Sequence, residues 1–279
     1  MINFPTLNLA LVLMLTMPFT ALFSQQSESD RSTWLVDTDR DPIYKRVFVD
    51  TDNFGPSYLD TLEAAYPRVP VDSVKFSILN DLAYYWHTRN LKRSLELTRK
   101  GLKLTRSAGN KLWEGRFMIT EGAALLRMEQ LDSANVVLEQ AKSKVHLSDL
   151  PMLLTQQGYV YERKGNLNRA TELAYEALKL SEDLNDKKGI AVAYSDLSNL
   201  FWKHERFEEG LEFGLKSIDL FESRGLNDMH YSFTLFVVGN NYWGLGQNEE
   251  ASNFFNHSIA MGDRYGFYNN LSDVYIELI

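Results

Sequence analysis

The glycine-rich stretch GNNYWGLG, residues 239–246, is the part of the sequence most similar to a phosphate-binding loop. In such loops, glycines let backbone N–H groups come close enough to cradle a phosphate group. No strand pattern precedes this stretch, and it lacks the Lys-Ser/Thr ending of a Walker motif. We therefore expect no phosphate site here, and the glycines need another explanation.

Neighbouring charged side chains offer two further candidates for proton-transfer chemistry. KHER, residues 203–206, places a histidine beside a glutamate, but adjacent residues on a helix point in different directions;. A position in a turn or on the surface explains this motif better. The Glu-Glu pairs at 208–209 and 249–250 each open a predicted helix, where negative charge interacts favourably with the helix dipole;. Because no nucleophile–base arrangement is present, we expect a protein that is not an enzyme.

Composition narrows the kinds of partner and site further. The chain has 279 residues, no cysteine and a formal net charge of -8. Disulfides, thiolate zinc sites and a cysteine nucleophile are excluded, and the five histidines form no HExxH pair;. Nucleic acid is not expected as a partner, because phosphate binding needs a basic surface. We expect no metal ion and no cofactor.

The elements that carry these motifs follow a repeat. A set of three small residues and one large residue recurs with one spacing, as in Gly158, the large Tyr161, Ala170 and Ala177, at steps of three, nine and seven. The equivalent sets are Gly122, Leu125, Ala134 and Ala141; Ser198, Phe201, Gly210 and Ser217; Gly239, Tyr242, Ala251 and Ser258; and, with a turn one residue shorter, Ala83, Trp86, Ser94 and Gly101. The third residue of each set recurs with periods of 40, 36, 40 and 41 residues. Periods of this length indicate an array of helix pairs, in which small residues let two helices cross closely.

The G-x-x-Y…G-N…A arrangement of residues 158–170 resembles a tetratricopeptide repeat (TPR). The resemblance covers residues 72–279, as five full copies and the start of a sixth. It implies an all-α fold, a right-handed superhelical solenoid of antiparallel helix pairs. The spacing and the leading LNDLAYYW, residues 79–86, also resemble TPR regions that precede membrane signalling modules in exported or membrane-bound bacterial proteins.

In TPR arrays the first helix of each repeat lines an inner groove, which implies a binding strip in this chain. The residues expected to face the groove are Tyr84, His87, Arg127, Tyr159, Glu162, Arg163, Asn199, Trp202, Lys203, Phe236, Asn240 and Trp243. Aromatic anchors flanked by hydrogen-bond donors suit an extended peptide or a partner helix, and the basic members favour an acidic one. The family resemblance implies that Asn199 and Asn240 hold a peptide backbone. In the competing interpretation Trp202 and Trp243 pack between repeats, and Arg163 pairs with an acidic neighbour.

The two ends of the chain carry their own predictions. Residues 1–24 are predicted to be a signal peptide cleaved near Ser24, which implies export, most simply to the periplasm;. A retained N-terminal membrane anchor is the alternative. Residues 25–71 are predicted to be a polar linker with a short helix between Pro56 and Pro67;. The stretch NNLSDVYIELI begins a sixth repeat and stops within it, which predicts a longer chain or a partner, such as a second copy, on the open face;.

Two functions fit these features. The first is a non-enzymatic, exported adaptor that binds a protein or peptide in its TPR groove. The second is the extracytoplasmic input segment of a larger membrane signalling protein, a histidine kinase, nucleotide cyclase or transcriptional regulator, whose output domain lies beyond residue 279. The partner, the pathway and the oligomeric state do not follow from the sequence.

Overall fold

A computed structural model describes residues 56–223 and 229–265, and no strand occurs within these two ranges. The α-helices are α1 Pro56–Ala65, α2 Ser73–Trp86, α3 Leu91–Ser107, α4 Lys111–Arg127, α5 Leu131–Lys142, α6 Leu150–Arg163, α7 Leu167–Asp183, α8 Lys187–Lys203, α9 Phe207–Ser223, α10 Met229–Gly244 and α11 Asn248–Tyr265. A short 3-10 helix, Leu147–Asp149, precedes α6. The predicted all-α class is confirmed.

From α2 onward the helices form five antiparallel pairs. We call the first member of each pair an inner helix (α2, α4, α6, α8 and α10) and the second an outer helix (α3, α5, α7, α9 and α11). Each inner helix packs on its own outer helix and, from α4 onward, on the preceding outer helix, and consecutive inner helices also contact one another. The array therefore curves with its inner helices on the concave side, as expected of a helical solenoid.

The predicted small residues lie where the two helices of a pair cross. The Ser94 hydroxyl of α3 donates to the Ala83 carbonyl of α2 over 2.7 Å. In the fourth pair the direction is reversed, and Ser198 of α8 donates to the carbonyl of Gly210 over 2.6 Å. Each of these residues occupies the first or the third position of its repeat set, so the repeat register read from the sequence is confirmed.

The turns within four of the five pairs share one backbone conformation. Each is three residues long, and its middle residue has a positive φ: 56° at Glu129, 77° at Gly165, 58° at Glu205 and 75° at Gly246. Glycine adopts this left-handed conformation without strain, which explains the Gly-Asn turn at residue 165 and the last glycine of GNNYWGLG. Residues 203–206, the KHER motif, end α8 and form the corresponding turn, as the sequence predicts.

The first repeat is covered by residues assigned above to the linker. Helix α1 lies where the sequence predicts a short helix, and its Leu59 and Leu62 are buried in one core cluster with Phe76, Trp113 and Phe117. From residue 56 onward this segment is therefore packed on the array. The apolar surface of α2 requires such a cover, because a terminal repeat has no preceding neighbour.

A buried ion pair joins the second and third repeats. Nε of Arg116 in α4 lies 3.0 Å from Oδ2 of Asp149, which ends the 3-10 helix before α6, and both side chains are fully buried. The guanidinium also lies 4.7 Å from the centroid of the Trp113 ring. The sequence pattern predicts no such pair, because neither residue belongs to the repeated positions.

Other predictions concern segments that the structure does not describe. The predicted signal peptide, residues 1–24, most of the predicted linker, and the start of the sixth repeat after residue 265 lie outside the described residues. Within the described residues, no helix has both the length and the apolar character needed to cross a membrane.

Candidate functional site

The twelve predicted groove residues all lie on inner helices or at their C-terminal ends, but they differ in exposure. Five are buried: Tyr84, His87, Asn199, Phe236 and Asn240. Four are partly buried, namely Arg127, Tyr159, Glu162 and Trp202, and three are exposed, namely Arg163, Lys203 and Trp243. The concave face is thus a mixture of buried polar contacts and a few accessible side chains, and it is not an open trough along its whole length.

A hydrogen-bonded pair of acidic groups occupies the middle of this face. The Tyr159 hydroxyl of α6 donates to Oδ1 of Asp196 in α8 over 2.7 Å. Burial raises the pKa of Asp196 to about 8, and the nearby negative charge of Glu162 adds to this shift, while hydrogen bonds from Tyr159 and Thr155 oppose it. Burial and the neighbouring Asp196 likewise raise the pKa of Tyr159 well above its ordinary value. Asp196 is therefore mostly a neutral acid near pH 7.

Sequence reasoning missed Asp196. It lies three residues before Asn199, hence on the same side of α8, and this spacing is the signal that could have located it. A single aspartate in a helix is usually a solvated surface residue, so its type alone gave no reason to place it inside.

Glu162 organises the charges beside this pair. Its Oε1 accepts a hydrogen bond from Nδ2 of Asn199 at 3.0 Å and lies 3.4 Å from Nζ of Lys203. The equivalent of Lys203 one repeat earlier is Arg163, and its Nη1 lies 3.3 Å from Oε1 of Glu129. Two of the basic residues expected to attract an acidic partner are therefore already paired with carboxylates of this chain, as the competing interpretation of Arg163 anticipated.

Aromatic and imidazole rings close the concave face at one point. Tyr84 stacks on His87 with ring centroids 4.2 Å apart, and its hydroxyl lies 3.3 Å from Nε2 of His230 at the start of α10. Burial lowers the pKa of His87 well below its ordinary value, and the positive charges of Arg127 and Arg89 contribute. Tyr84 and His87 thus belong to a junction between the first and fifth repeats, and His230, the third member, was not predicted from the sequence.

The fifth repeat presents a different arrangement around Asn240. This residue is 0% exposed, and neither its Oδ1 nor its Nδ2 has a hydrogen-bond partner in the structure. The equivalent Asn199 is paired with Glu162, but the position equivalent to Glu162 in the next repeat is Trp202, which has no acceptor;. One helical turn after Asn240, Trp243 is 54% exposed. At this residue, packing between repeats leaves more than half of the indole accessible.

The packing of the glycine-rich stretch and the placement of the acidic and imidazole side chains give no support for a phosphate loop or a metal site. Gly239 lies against Phe255, where a Cβ atom would come within 2.5 Å of Cε1, so its role is close helix packing. Among the described residues, no group of three or more His, Asp or Glu side chains is arranged to hold a metal ion.

Comparison with known proteins places the chain by its fold. No protein-family model matches the sequence. A Rap protein complexed with competence and sporulation factor has a TM-score of 0.63 and 12% identity; the match covers 78% of this chain and 62% of the Rap chain. A STAND signal-transduction ATPase from Pyrococcus horikoshii, with a tetratricopeptide repeat sensor, has a TM-score of 0.60 and 12% identity over 95% of this chain and 40% of its own. The apo form of RapI has a TM-score of 0.52 and 12% identity, with 65% of this chain and 67% of RapI covered.

The chain thus spans less than two thirds of the length of the first two of these proteins. At 12% identity the likeness establishes the fold alone, and the predicted TPR-type helical array is confirmed.

Proposed function

We propose that this TPR-type array is a protein-interaction module that binds an extended peptide segment of a partner on its concave face, at α8 and α10. The observation that carries the proposal is the exposed indole of Trp243, one helical turn after Asn240, whose buried amide has no hydrogen-bond partner and becomes accessible to a peptide only when the side chains around it move aside. The proposed role is binding, and it requires no cofactor and no catalytic group.

The amide of Asn240 is suited to a peptide backbone. A buried amide without partners costs the folded state about 1–3 kcal/mol, because its hydration is lost and nothing replaces it. One side-chain amide offers both a donor and an acceptor, so it can pair with the C=O and N–H of one residue of an extended peptide, which point to the same side of the chain. Asn199 is less available for this role, because its Nδ2 is bound to Glu162.

The indole of Trp243 supplies the apolar part of the site. Its 54% exposure leaves a large, rigid aromatic surface in water. Side chains of this type dominate the energetics of protein interfaces. Trp202 occupies the equivalent position one repeat earlier, with Nζ of Lys203 5.4 Å from its ring centroid. A peptide that runs along the inner helices would meet the two indoles in succession.

The basic residues of this site contribute less to ligand binding than the sequence analysis predicted. An acidic peptide would have to compete with Glu129 for Arg163 and with Glu162 for Lys203. We therefore propose that contacts to the amide and the indoles decide binding on the concave face. The Rap protein of similar fold is complexed with competence and sporulation factor, which supports a ligand-binding role for an array of this shape.

The test is a selection from a displayed library of random peptides against the whole chain, followed by measured affinities for three variants. Trp243→Ala and Asn240→Ala should each weaken the selected peptides by about tenfold or more, since interface anchors of this kind are worth about 2 kcal/mol. Tyr175→Ala is the matched control, because Tyr175 is 44% exposed but lies on the outer helix α7. Helicity of each variant is measured in parallel. Peptides that bind the Trp243 and Asn240 variants as well as the wild type would contradict the proposal.

A second candidate function is the input segment of a larger signalling protein. The STAND ATPase supports it, since its TPR sensor forms part of a protein of which this chain matches 40%. The discriminating measurement is the intact mass of the native protein. A mass equal to residues 25–279 favours a separate exported adaptor and the predicted cleavage near Ser24. A much larger mass favours the input segment, and a mass that includes residues 1–24 favours the N-terminal anchor.

A further inference from the structure

Helix α3 has a charge opposite to that of the chain. It contains six basic residues and one acidic residue, whereas the chain as a whole has a net charge of -8. The outer helix of the fourth repeat, α9, has five acidic residues and one basic residue. The outer surface of the first repeat is therefore a local basic patch on an acidic protein.

The basic side chains on one face of α3 are poorly neutralised. Arg99, Lys103 and Arg106 follow one another at steps of four and three, so they share a face of the helix, and all are exposed;. Arg106 lies 3.1 Å from Glu114, but within the described residues no carboxylate lies within 4.0 Å of Arg99 or Lys103. Like charges at this spacing repel each other and weaken a helix, so the helix keeps them at a cost in stability.

Several exposed cations elsewhere in the array are, by contrast, paired. The partners are Asp132 for Lys164, Glu172 for Arg169, Asp183 for Lys179, Glu209 for Arg206 and Glu212 for Lys216. Lys142 and Lys187 also lack such a partner among the described residues, so what distinguishes α3 is that two unpaired cations, Arg99 and Lys103, lie one helical turn apart on one face;.

These side chains border a groove between α3 and α4. The cavity has a volume of about 490 Å³ and is lined by Arg99, Leu102, Lys103, Arg106, Ser107 and Glu121. Leu102 is buried at its base, and burial raises the pKa of Glu121 although Arg99 and Arg106 oppose the shift. Because the three cations are exposed, their attraction for an incoming anion is that of surface charges and is screened by salt;.

We propose that this groove binds an acidic segment of a protein partner, whose carboxylates pair with Arg99 and Lys103. The three cations span seven residues of helix, or about 10 Å, which matches about three residues of an extended chain. Guanidinium groups bind carboxylates through two parallel hydrogen bonds, which gives the contact direction as well as strength. A patch of this length is too short to follow the backbone of a nucleic-acid duplex.

The sequence analysis predicted that the concave face favours an acidic partner. This proposal assigns the acidic partner to the groove between α3 and α4 instead. On that face Arg163 and Lys203 are paired with carboxylates, whereas Arg99 and Lys103 are available between α3 and α4. The groove does not depend on peptide binding near Asn240, so either site can fail experimentally without the other.

The test uses the full chain and a fluorescein-labelled peptide of eight glutamates, with fluorescence anisotropy as the readout. Binding should be present at low salt and weaken as salt increases. The double variant R99E/K103E should lower the affinity by about tenfold or more, and R99A/K103A by less. K142E/K187E is the matched control, because it changes the net charge equally at two exposed lysines outside the groove. Circular dichroism establishes that each variant is folded, and a peptide of eight glutamines should not bind.

Four results would overturn the proposal. The peptide fails to bind the wild-type chain at low salt, or it binds R99E/K103E as tightly as the wild type. The control variant loses as much affinity as R99E/K103E, which would mean that net charge alone governs binding. Alternatively, anionic vesicles, duplex DNA or a second copy of the chain bind through Arg99 and Lys103 more tightly than the acidic peptide, which would identify a different occupant.

Discussion

The hydroxyl oxygen of Tyr84 lies 3.3 Å from Nε2 of His230, although 146 residues separate them along the chain. Tyr84 is near the end of α2, the inner helix of the first repeat, and His230 is near the start of α10, the inner helix of the fifth. The array is therefore curved strongly enough for its first and fifth repeats to touch across the concave face.

Loss of the junction should loosen the curvature of the array. We expect His230→Ala to lower the free energy of unfolding by about 1 kcal/mol, the usual net contribution of one buried hydrogen bond. It should also lengthen and broaden the distance between labels on α3 and α11. The chain has no cysteine, so Lys92→Cys and Ser252→Cys, both at exposed positions, provide unique labelling sites. His204→Ala, in a turn, is the control and should leave the distance unchanged. An unchanged distance in the His230 variant would show that the junction does not hold the curvature.

Two glycines at the same position of adjacent repeats should respond oppositely to a methyl group. A Cβ atom on Gly122 would lie 2.6 Å from Leu138, whereas on Gly158 its nearest neighbour would be the Ala170 carbonyl oxygen at 3.8 Å. We expect Gly122→Ala to destabilise the fold by about 1–3 kcal/mol through overpacking. Gly158→Ala should stabilise it by about 0.5–1 kcal/mol, because alanine has the higher helix propensity. Thermal unfolding measures both, and shifts of the same sign would contradict the packing described here.

The turn at Glu205 stores backbone strain that glycine would remove. Its φ of 58° is left-handed, and such a conformation costs a residue with a Cβ atom about 1–2 kcal/mol;. We expect Glu205→Gly to raise the free energy of unfolding by up to about 1 kcal/mol, because the more flexible unfolded chain offsets part of the gain. Glu208→Gly, inside the first turn of α9, is the control and should lower stability. A stability loss in both variants would mean that the Glu205 side chain makes an unrecognised stabilising contact.

Asp196 should make the stability of the fold fall as pH rises. Its pKa is about 8 in the folded protein and 3.8 for an ordinary aspartate, so the folded state holds a proton that the unfolded state has lost between these values. Stability from this group is complete below about pH 4 and is lost as pH approaches 8. Asp196→Asn cannot ionise, so it should remove this decline, which the difference between the two pKa values puts at about 5 kcal/mol between pH 4 and pH 8;.

Denaturant unfolding at several pH values is the measurement for Asp196→Asn. The exposed Asp183→Asn serves as the control, and its pH profile should follow that of the wild type. His87 acts in the opposite sense, since its lowered pKa favours the fold above its ordinary value of 6.5 and costs stability only in acid. Parallel profiles for the wild type and Asp196→Asn between pH 4 and pH 8 would mean that Asp196 is already ionised in the fold.

The sequence alone determined the repeat and the residues that build it. Ser94 and Gly210 are short side chains at helix crossings, and their spacing is visible without a structure because every repeat must solve the same packing problem;. Gly165 and Gly246 mark the turns for the same reason, since a left-handed residue is needed at each one;. These are local or nearest-neighbour constraints, and they recur in the sequence at the period of the fold.

Only the tertiary structure decided which inner side chains are paired within the chain and which are left without a partner. Asn199 and Asn240 occupy equivalent positions, yet Asn199 is bound by Glu162 while Asn240 has no partner, because the residue one repeat earlier differs. The contact of Tyr84 with His230 depends on rotations summed over four successive repeats, and a small change in each would separate them. The pairing of the asparagines and the contact between the first and fifth repeats therefore depend on interactions between repeats. The periodic sequence pattern reports only the contacts that every repeat shares.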